Sequence, residues 1–118
     1  MLTAALAILA AATGLSAATG LAGDWVVDLS TRSQPSYTQS MVLRLDDSGV
    51  VTGTFYNSEI QAGRWKTDRG RTCASFRTTD GAGPYHTSVC LDGARAVGQT
   101  WAEHRNFLFN WNADRKIP

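Results

Sequence analysis

The stretch CASFRTTDGAGPYHTSVC, residues 73–90, holds both cysteines of the 118-residue chain and decides how its sheet is built. Two runs rich in Thr, Val, Phe and Tyr flank the glycine-rich segment DGAG, a pattern typical of a β-hairpin. If DGAG forms the loop, Thr79 faces Pro84, and counting outward from them brings Cys73 opposite Cys90. Directly opposed residues on antiparallel strands lie close to disulfide distance. The spacing therefore predicts a disulfide that pins the register of this hairpin, and it lacks the C-x-x-C form of a redox pair.

Turn signals recur about every ten residues on both sides of this hairpin, which is typical of an all-β sandwich or barrel. Apolar and polar residues alternate in the runs between the turns, as in MVLRL, where Met41, Leu43 and Leu45 share one face. Short connections make successive strands antiparallel neighbours. We therefore predict an all-β fold, an eight-stranded antiparallel up-and-down meander barrel preceded by a signal peptide. The predicted strands cover residues 23–29, 38–46, 50–57, 60–67, 71–79, 85–92, 94–101 and 106–114.

The first residues have the composition of an export signal. The apolar run LTAALAILAAA is about as long as a signal-peptide core and too short to cross a bilayer. Small residues follow, and all charged side chains lie at or after Asp24. We expect a signal peptide at 1–18, with cleavage between 17 and 22, and a single barrel domain at 23–115. A buried Ala-rich helix is the alternative for this run.

Export favours a disulfide, because secreted and periplasmic compartments are oxidising. The expected location is therefore secreted or periplasmic, with no stable membrane span once the signal is removed. With 11 Lys and Arg against 10 Asp and Glu, the chain lacks the basic excess of a nucleic-acid-binding protein.

Candidate catalytic and metal-binding groups are few. His86 and His104 are the two histidines, and neither belongs to a metal-binding motif, so no metal or cofactor is predicted. A hydrolase is the remaining enzymatic alternative, with Ser75 or Ser88 beside His86 and Asp80, although such a site needs the three side chains to meet in space. We predict that the protein is not an enzyme.

The segment LAGDW at the start of the first strand resembles the calycin group, which comprises avidins, lipocalins and fatty-acid-binding proteins. In that group the tryptophan closes one end of the barrel and a basic residue of the last strand packs over it. The resemblance implies these structural roles for Trp25 and for Arg115 in FNWNADR. VVTGTFYNSE followed by AGRW, and then GQTW, also resemble avidin segments.

Two positions depart from the avidin pattern. Avidins carry a polar residue two positions after the first tryptophan, where this chain has Val27, and a tyrosine where it has Phe55. Tyr56 is one step out of phase, and such a step moves a side chain to the other face of a sheet. We therefore do not expect biotin to be the ligand.

Aromatic and polar residues from several strands are candidates for a small-molecule site at a barrel mouth. The predicted ligand-binding residues are Tyr56, Trp65, Arg77, Gln99 and Trp101. The sequence predicts an exported binding module for a small ligand. The alternative is a periplasmic interaction protein, such as a protease inhibitor, and a homo-oligomer is left open by exposed Tyr and Trp at strand edges.

Overall fold

The computed structural model describes residues 20–117, and the predicted signal peptide lies almost entirely outside these residues. The described part is built of strands and one short 3-10 turn at Glu103–Arg105. The strands are β1 Gly23–Asp28, β2 Thr38–Leu45, β3 Val50–Phe55, β4 Ser58–Glu59, β5 Gln61–Asp68, β6 Arg71–Thr79, β7 Pro84–Asp92, β8 Arg95–Ala102 and β9 Phe107–Arg115.

The strands form a closed antiparallel ring. Each long strand pairs with its neighbour in the chain, and β9 returns to pair with β1. The two-residue β4 lies beside β3 and leads into β5, so that eight strands make up the wall. The predicted meander barrel is confirmed. Closure leaves no long sheet edge free for pairing with another chain.

The cysteine hairpin has the predicted register. Thr79 pairs with Pro84, and Cys73 pairs with Cys90 six residues further from the loop on each strand. The two cysteines form a disulfide, with their Cα atoms 4.0 Å apart, so the sequence-based pairing is confirmed. Both lie on the outer wall, because the neighbouring Ala74 and Val89 are buried on the inner face.

One end of the barrel is filled and covered. Trp25 is fully buried there, and its indole N–H donates a hydrogen bond of 2.9 Å to the backbone carbonyl of Leu21. The Arg115 guanidinium lies over the Trp25 ring, 4.4 Å from its centroid. It also donates hydrogen bonds to the backbone carbonyls of Gly20 and Ala22. The segment before β1 is thereby held across this end of the barrel.

The middle of the barrel is packed around Trp111. Gly98 of β8 pairs with this residue, and a Cβ atom on Gly98 would lie 2.3 Å from the indole ring. Because the ring occupies that space, β8 presents small side chains to the interior. Its inner-face residues are Ala96, Gly98, Thr100 and Ala102.

Candidate functional site

The end opposite Trp25 contains a cavity of about 640 Å³. Its walls come from the ends of strands that meet there and from the connections between them. Leu29 follows β1, Thr79 ends β6, and Phe107 begins β9, so three separate parts of the chain contribute. The volume lies within the range of about 300–1,000 Å³ that is usual for small-molecule sites.

The apolar part of the cavity is aromatic. Phe55 stacks on Trp111 with ring centroids 5.5 Å apart, and it meets Phe76 edge-on at 5.8 Å. Near the opening, Phe107 and Phe109 stack with centroids 5.6 Å apart. Phe107 keeps 41% of its surface exposed, although it faces the interior side of β9. These rings provide flat apolar surface on which a ligand ring can pack.

The inner wall also carries buried hydroxyl groups. The Trp111 indole N–H donates to the hydroxyl of Thr100 at 3.0 Å, and Thr100 shares a 3.0 Å hydrogen bond with Thr87. Thr78 is equally buried, at 4% exposure, and lines the cavity. Its hydroxyl makes no hydrogen bond to any other residue between 20 and 117. No buried side-chain polar atom of the described residues lacks a partner, so this hydroxyl is accessible from the cavity, where a ligand can reach it.

A hydrogen-bonded group forms one side of the rim. Tyr85 donates a hydrogen bond of 2.7 Å to the carboxylate of Asp80, and its oxygen accepts one of 2.8 Å from Arg105. The backbone N–H of Ala82 also donates to Asp80, and His104 lies 3.9 Å from it. The hydrogen bond from Tyr85, then that from Ala82, lowers the pKa of Asp80 below its usual value. The bond to Tyr85 raises the pKa of Arg105.

The hydrogen-bonded group of Asp80, Tyr85 and Arg105 joins two of the segments that connect strands. Asp80 belongs to the β6–β7 loop, and Arg105 to the 3-10 turn between β8 and β9. Their charges lie 4.0 Å apart and balance each other. The His104 ring packs so closely on the loop that a Cβ atom on Gly83 would approach it to 2.6 Å. The two connections therefore hold this side of the mouth together.

Tyrosines form the other side of the rim. The hydroxyls of Tyr37 and Tyr56 are hydrogen-bonded to each other, and the Gln39 amide donates to Tyr37 at 3.0 Å. Tyr56 and Asn57 make the two-residue turn between β3 and β4, both with positive φ, at 53° and 65°. This left-handed conformation is common for Asn and unfavourable for a bulky residue such as Tyr. Unfavourable backbone conformations of this kind often occur at functional sites.

The five predicted ligand-binding residues do not come together around this cavity. Tyr56 lines it, whereas Trp65 packs at the side of the core and donates from its indole N–H to the backbone carbonyl of Asp46 at 2.8 Å. Arg77 lies on the outer wall and donates to Gln61 at 3.3 Å. Alternation along the strand places Arg77, Ser75 and Cys73 on one face, and that face is the outer one.

Gln99 and Trp101 also share the outer face, because β8 turns its small residues inward. The Gln99 amide donates to Asn110 of β9 at 2.8 Å, and Trp101 is 37% exposed beside Leu108. A role in ligand binding stays a prediction for all five residues, and Tyr56 is the one that the cavity includes.

Several lining residues were absent from the predicted site. Tyr85 pairs with Thr78, so the hairpin register that places the cysteines also places both residues on the inner face. The hairpin register predicted from the sequence could therefore have identified Thr78 and Tyr85 as facing residues on one side of the sheet. Arg105 and Phe107 lie in and after the β8–β9 connection, and their place at the mouth depends on how that connection folds over the barrel end.

The residues of the hydrolase alternative are separated by the wall. Ser75 and Ser88 lie on the outer face, hydrogen-bonded to each other at 2.9 Å, and His86 is also outside, paired with Arg77. Asp80 lies at the rim with Tyr85. Within residues 20–117, no three His, Cys, Asp or Glu side chains gather as a metal ion would require. Nor does this described part contain a helix long and apolar enough to span a membrane.

Fold and cavity together define a small closed antiparallel barrel with one filled end and one hollow end. Comparison with protein-family models, with curated proteins and with solved structures gives no match for this chain.

Proposed function

We propose that this protein is an exported barrel of the calycin type that binds one small amphipathic ligand in its open mouth. The observation that carries the proposal is the contrast between the two ends. Trp25 and Arg115 fill and cover one end, whereas the other holds a cavity of about 640 Å³. Eight strands enclose room for packed side chains or for one small ligand, and this barrel contains both.

The lining of the cavity supports an amphipathic ligand. Aromatic rings supply apolar surface, while hydroxyls and the Asp80–Tyr85–Arg105 group supply polar contacts near the opening. A few placed polar groups on an apolar lining are the usual composition of such sites. Biotin is not proposed, since Val27 and Phe55, the positions that depart from the avidin pattern, are buried and apolar.

Binding of the neutral fluorescent probe N-phenylnaphthylamine to the disulfide-bonded protein tests the proposal. We expect saturable fluorescence enhancement with one site per chain, and native mass spectrometry of freshly purified protein will reveal any ligand that co-purifies. Ser58→Trp places a large ring in the cavity and is expected to abolish probe binding. Thr54→Trp places the same ring on the exposed face of β3 and is the matched control.

Absence of saturable binding, or equal binding by the Ser58→Trp variant, would contradict the proposal. The interaction-protein alternative stays a prediction from the sequence, and the cavity is the observation that ranks ligand binding above it.

A further inference from the structure

We infer that the ligand is an uncharged, flat aromatic compound whose hydroxyl or carbonyl group pairs with the hydroxyl of Thr78. This inference rests on the proposed function and names the ligand class for the same cavity. Three observations carry it: the Thr78 hydroxyl at the cavity wall, the pairing of the charges at the rim, and the arrangement of the aromatic rings.

Thr78 supplies the polar contact. The residue is 4% exposed and lines the cavity, and its hydroxyl, which is accessible from the cavity, forms no hydrogen bond to another residue within 20–117. The hydroxyl of Thr100, another cavity-lining residue, is already engaged by Trp111 and Thr87. A ligand that fills the cavity excludes water from this hydroxyl, so a ligand group that hydrogen-bonds to it avoids leaving it unpaired, whereas an apolar group does not. Because a hydroxyl both donates and accepts, either an O–H or a C=O group of the ligand can pair with it.

The charges at the mouth argue against an ionic ligand. Among the described lining residues, Asp80 and Arg105 carry the full charges, and Tyr85 is hydrogen-bonded to both. Neither charge is left without a neighbour of opposite sign, since they lie 4.0 Å apart. A charged group that enters beyond them meets hydroxyls and aromatic rings, with no counter-ion to offset its desolvation.

The rings favour a flat ligand. Phe55 stacks on Trp111 with an angle of 28° between the planes, and Phe107 stacks on Phe109 with an angle of 26°. Offset stacking of this kind adds to the burial of apolar surface. The exposed part of Phe107 at the opening is surface that a bound ring would cover.

Three probes of the same biphenyl framework separate these features: para-phenylphenol, para-methylbiphenyl and biphenyl-para-carboxylate. Each is measured at neutral pH by displacement of N-phenylnaphthylamine from the disulfide-bonded protein. We expect the phenol to bind about threefold to tenfold more tightly than the methyl compound, the usual worth of one neutral hydrogen bond. The carboxylate is expected to bind at least roughly tenfold more weakly than the phenol.

Thr78→Val removes the hydroxyl at nearly constant shape and should abolish the preference for the phenol over the methyl compound, whereas Thr78→Ser should keep it. Thr54→Val, on the outer wall, is the matched control and should change nothing. The ranking of the three probes by the unaltered protein tests the inference even if Thr78→Val does not fold.

The possible failures are distinguishable. If the displacement probe itself shows no saturable binding, the proposed function fails and the inference falls with it. If the probe binds but the phenol has no advantage, or the carboxylate binds best, the inference is overturned and the binding function stands. Retention of the phenol preference by a folded Thr78→Val variant also overturns it.

Discussion

The guanidinium of Arg115 lies 4.4 Å from the centre of the Trp25 ring, so a side chain of the last strand covers one from the first. The same guanidinium is hydrogen-bonded to the backbone carbonyls of Gly20 and Ala22. This contact joins the strands at which the barrel closes and ties down the segment that precedes them. It covers the end of the barrel that Trp25 fills.

Replacement of Arg115 tests the importance of that contact. Arg115→Met should lower the free energy of unfolding by about 1–3 kcal/mol, because it removes a cation–π contact and hydrogen bonds to backbone carbonyls. Urea unfolding measured by tryptophan fluorescence gives the value. Arg95→Met is the control, since Arg95 makes an exposed ion pair with Asp114 and should change stability by about 0.5 kcal/mol or less. Equal losses in the two variants would contradict the prediction.

The disulfide should provide a large part of the stability of so small a domain. We expect the Cys73→Ser/Cys90→Ser double variant to lose about 2–4 kcal/mol in urea unfolding, mainly because its unfolded chain is less constrained. Ser75→Ala/Ser88→Ala alters the next outward-facing pair of the same hairpin, where the hydroxyls lie 2.9 Å apart, and should cost about 1 kcal/mol or less. An unfolding midpoint of the unaltered protein that reductant leaves unchanged would refute this role.

Replacement of Tyr56 by asparagine should increase stability and weaken ligand binding. Tyr56→Asn relieves the unfavourable left-handed conformation and should raise the free energy of unfolding by about 0.5–1 kcal/mol, while weakening N-phenylnaphthylamine binding through loss of the ring. Tyr56→Phe keeps the ring and should retain most of the binding. A variant Tyr56→Asn that binds as tightly as the unaltered protein would remove Tyr56 from the site.

Acid should weaken the β2–β3 turn. Hydrogen bonds from the backbone of Val50 and from Ser48 lower the pKa of Asp46 below its ordinary value of 3.8. A carboxylate with a lowered pKa in the folded state contributes stability above its unfolded pKa, and that contribution is lost as the pH falls through the folded value. The unaltered protein should therefore lose stability between roughly pH 5 and pH 2.

Asp46→Asn should reduce the slope of stability against pH in this interval, as measured by urea unfolding at a series of pH values. Asp47→Asn removes an adjacent carboxylate that makes none of these turn hydrogen bonds within the described chain, and it should leave the slope close to that of the unaltered protein. If both variants give the same slope, the turn hydrogen bonds of Asp46 do not cause the acid sensitivity.

The sequence by itself determined the strands, their order and the register of the cysteine hairpin. These features depend on neighbours in the chain: alternation sets the faces of one strand, and a short loop fixes which residues oppose each other. The differences lie at strand ends, as at β3, which ends at Phe55 because Tyr56 and Asn57 form the turn, and in the two-residue β4, which was not predicted.

Only the tertiary structure decided which face of β8 turns inward and where the barrel remains hollow. Side-chain size in AVGQTW suggests that Trp101 belongs inside, yet Trp111 of the neighbouring strand already fills the space next to Gly98. Two large indoles cannot occupy the same interior volume, so Trp101 lies outside and Thr100 faces in. The cavity near Thr78 likewise depends on how side chains from many strands share one enclosed volume, which no single stretch of sequence specifies.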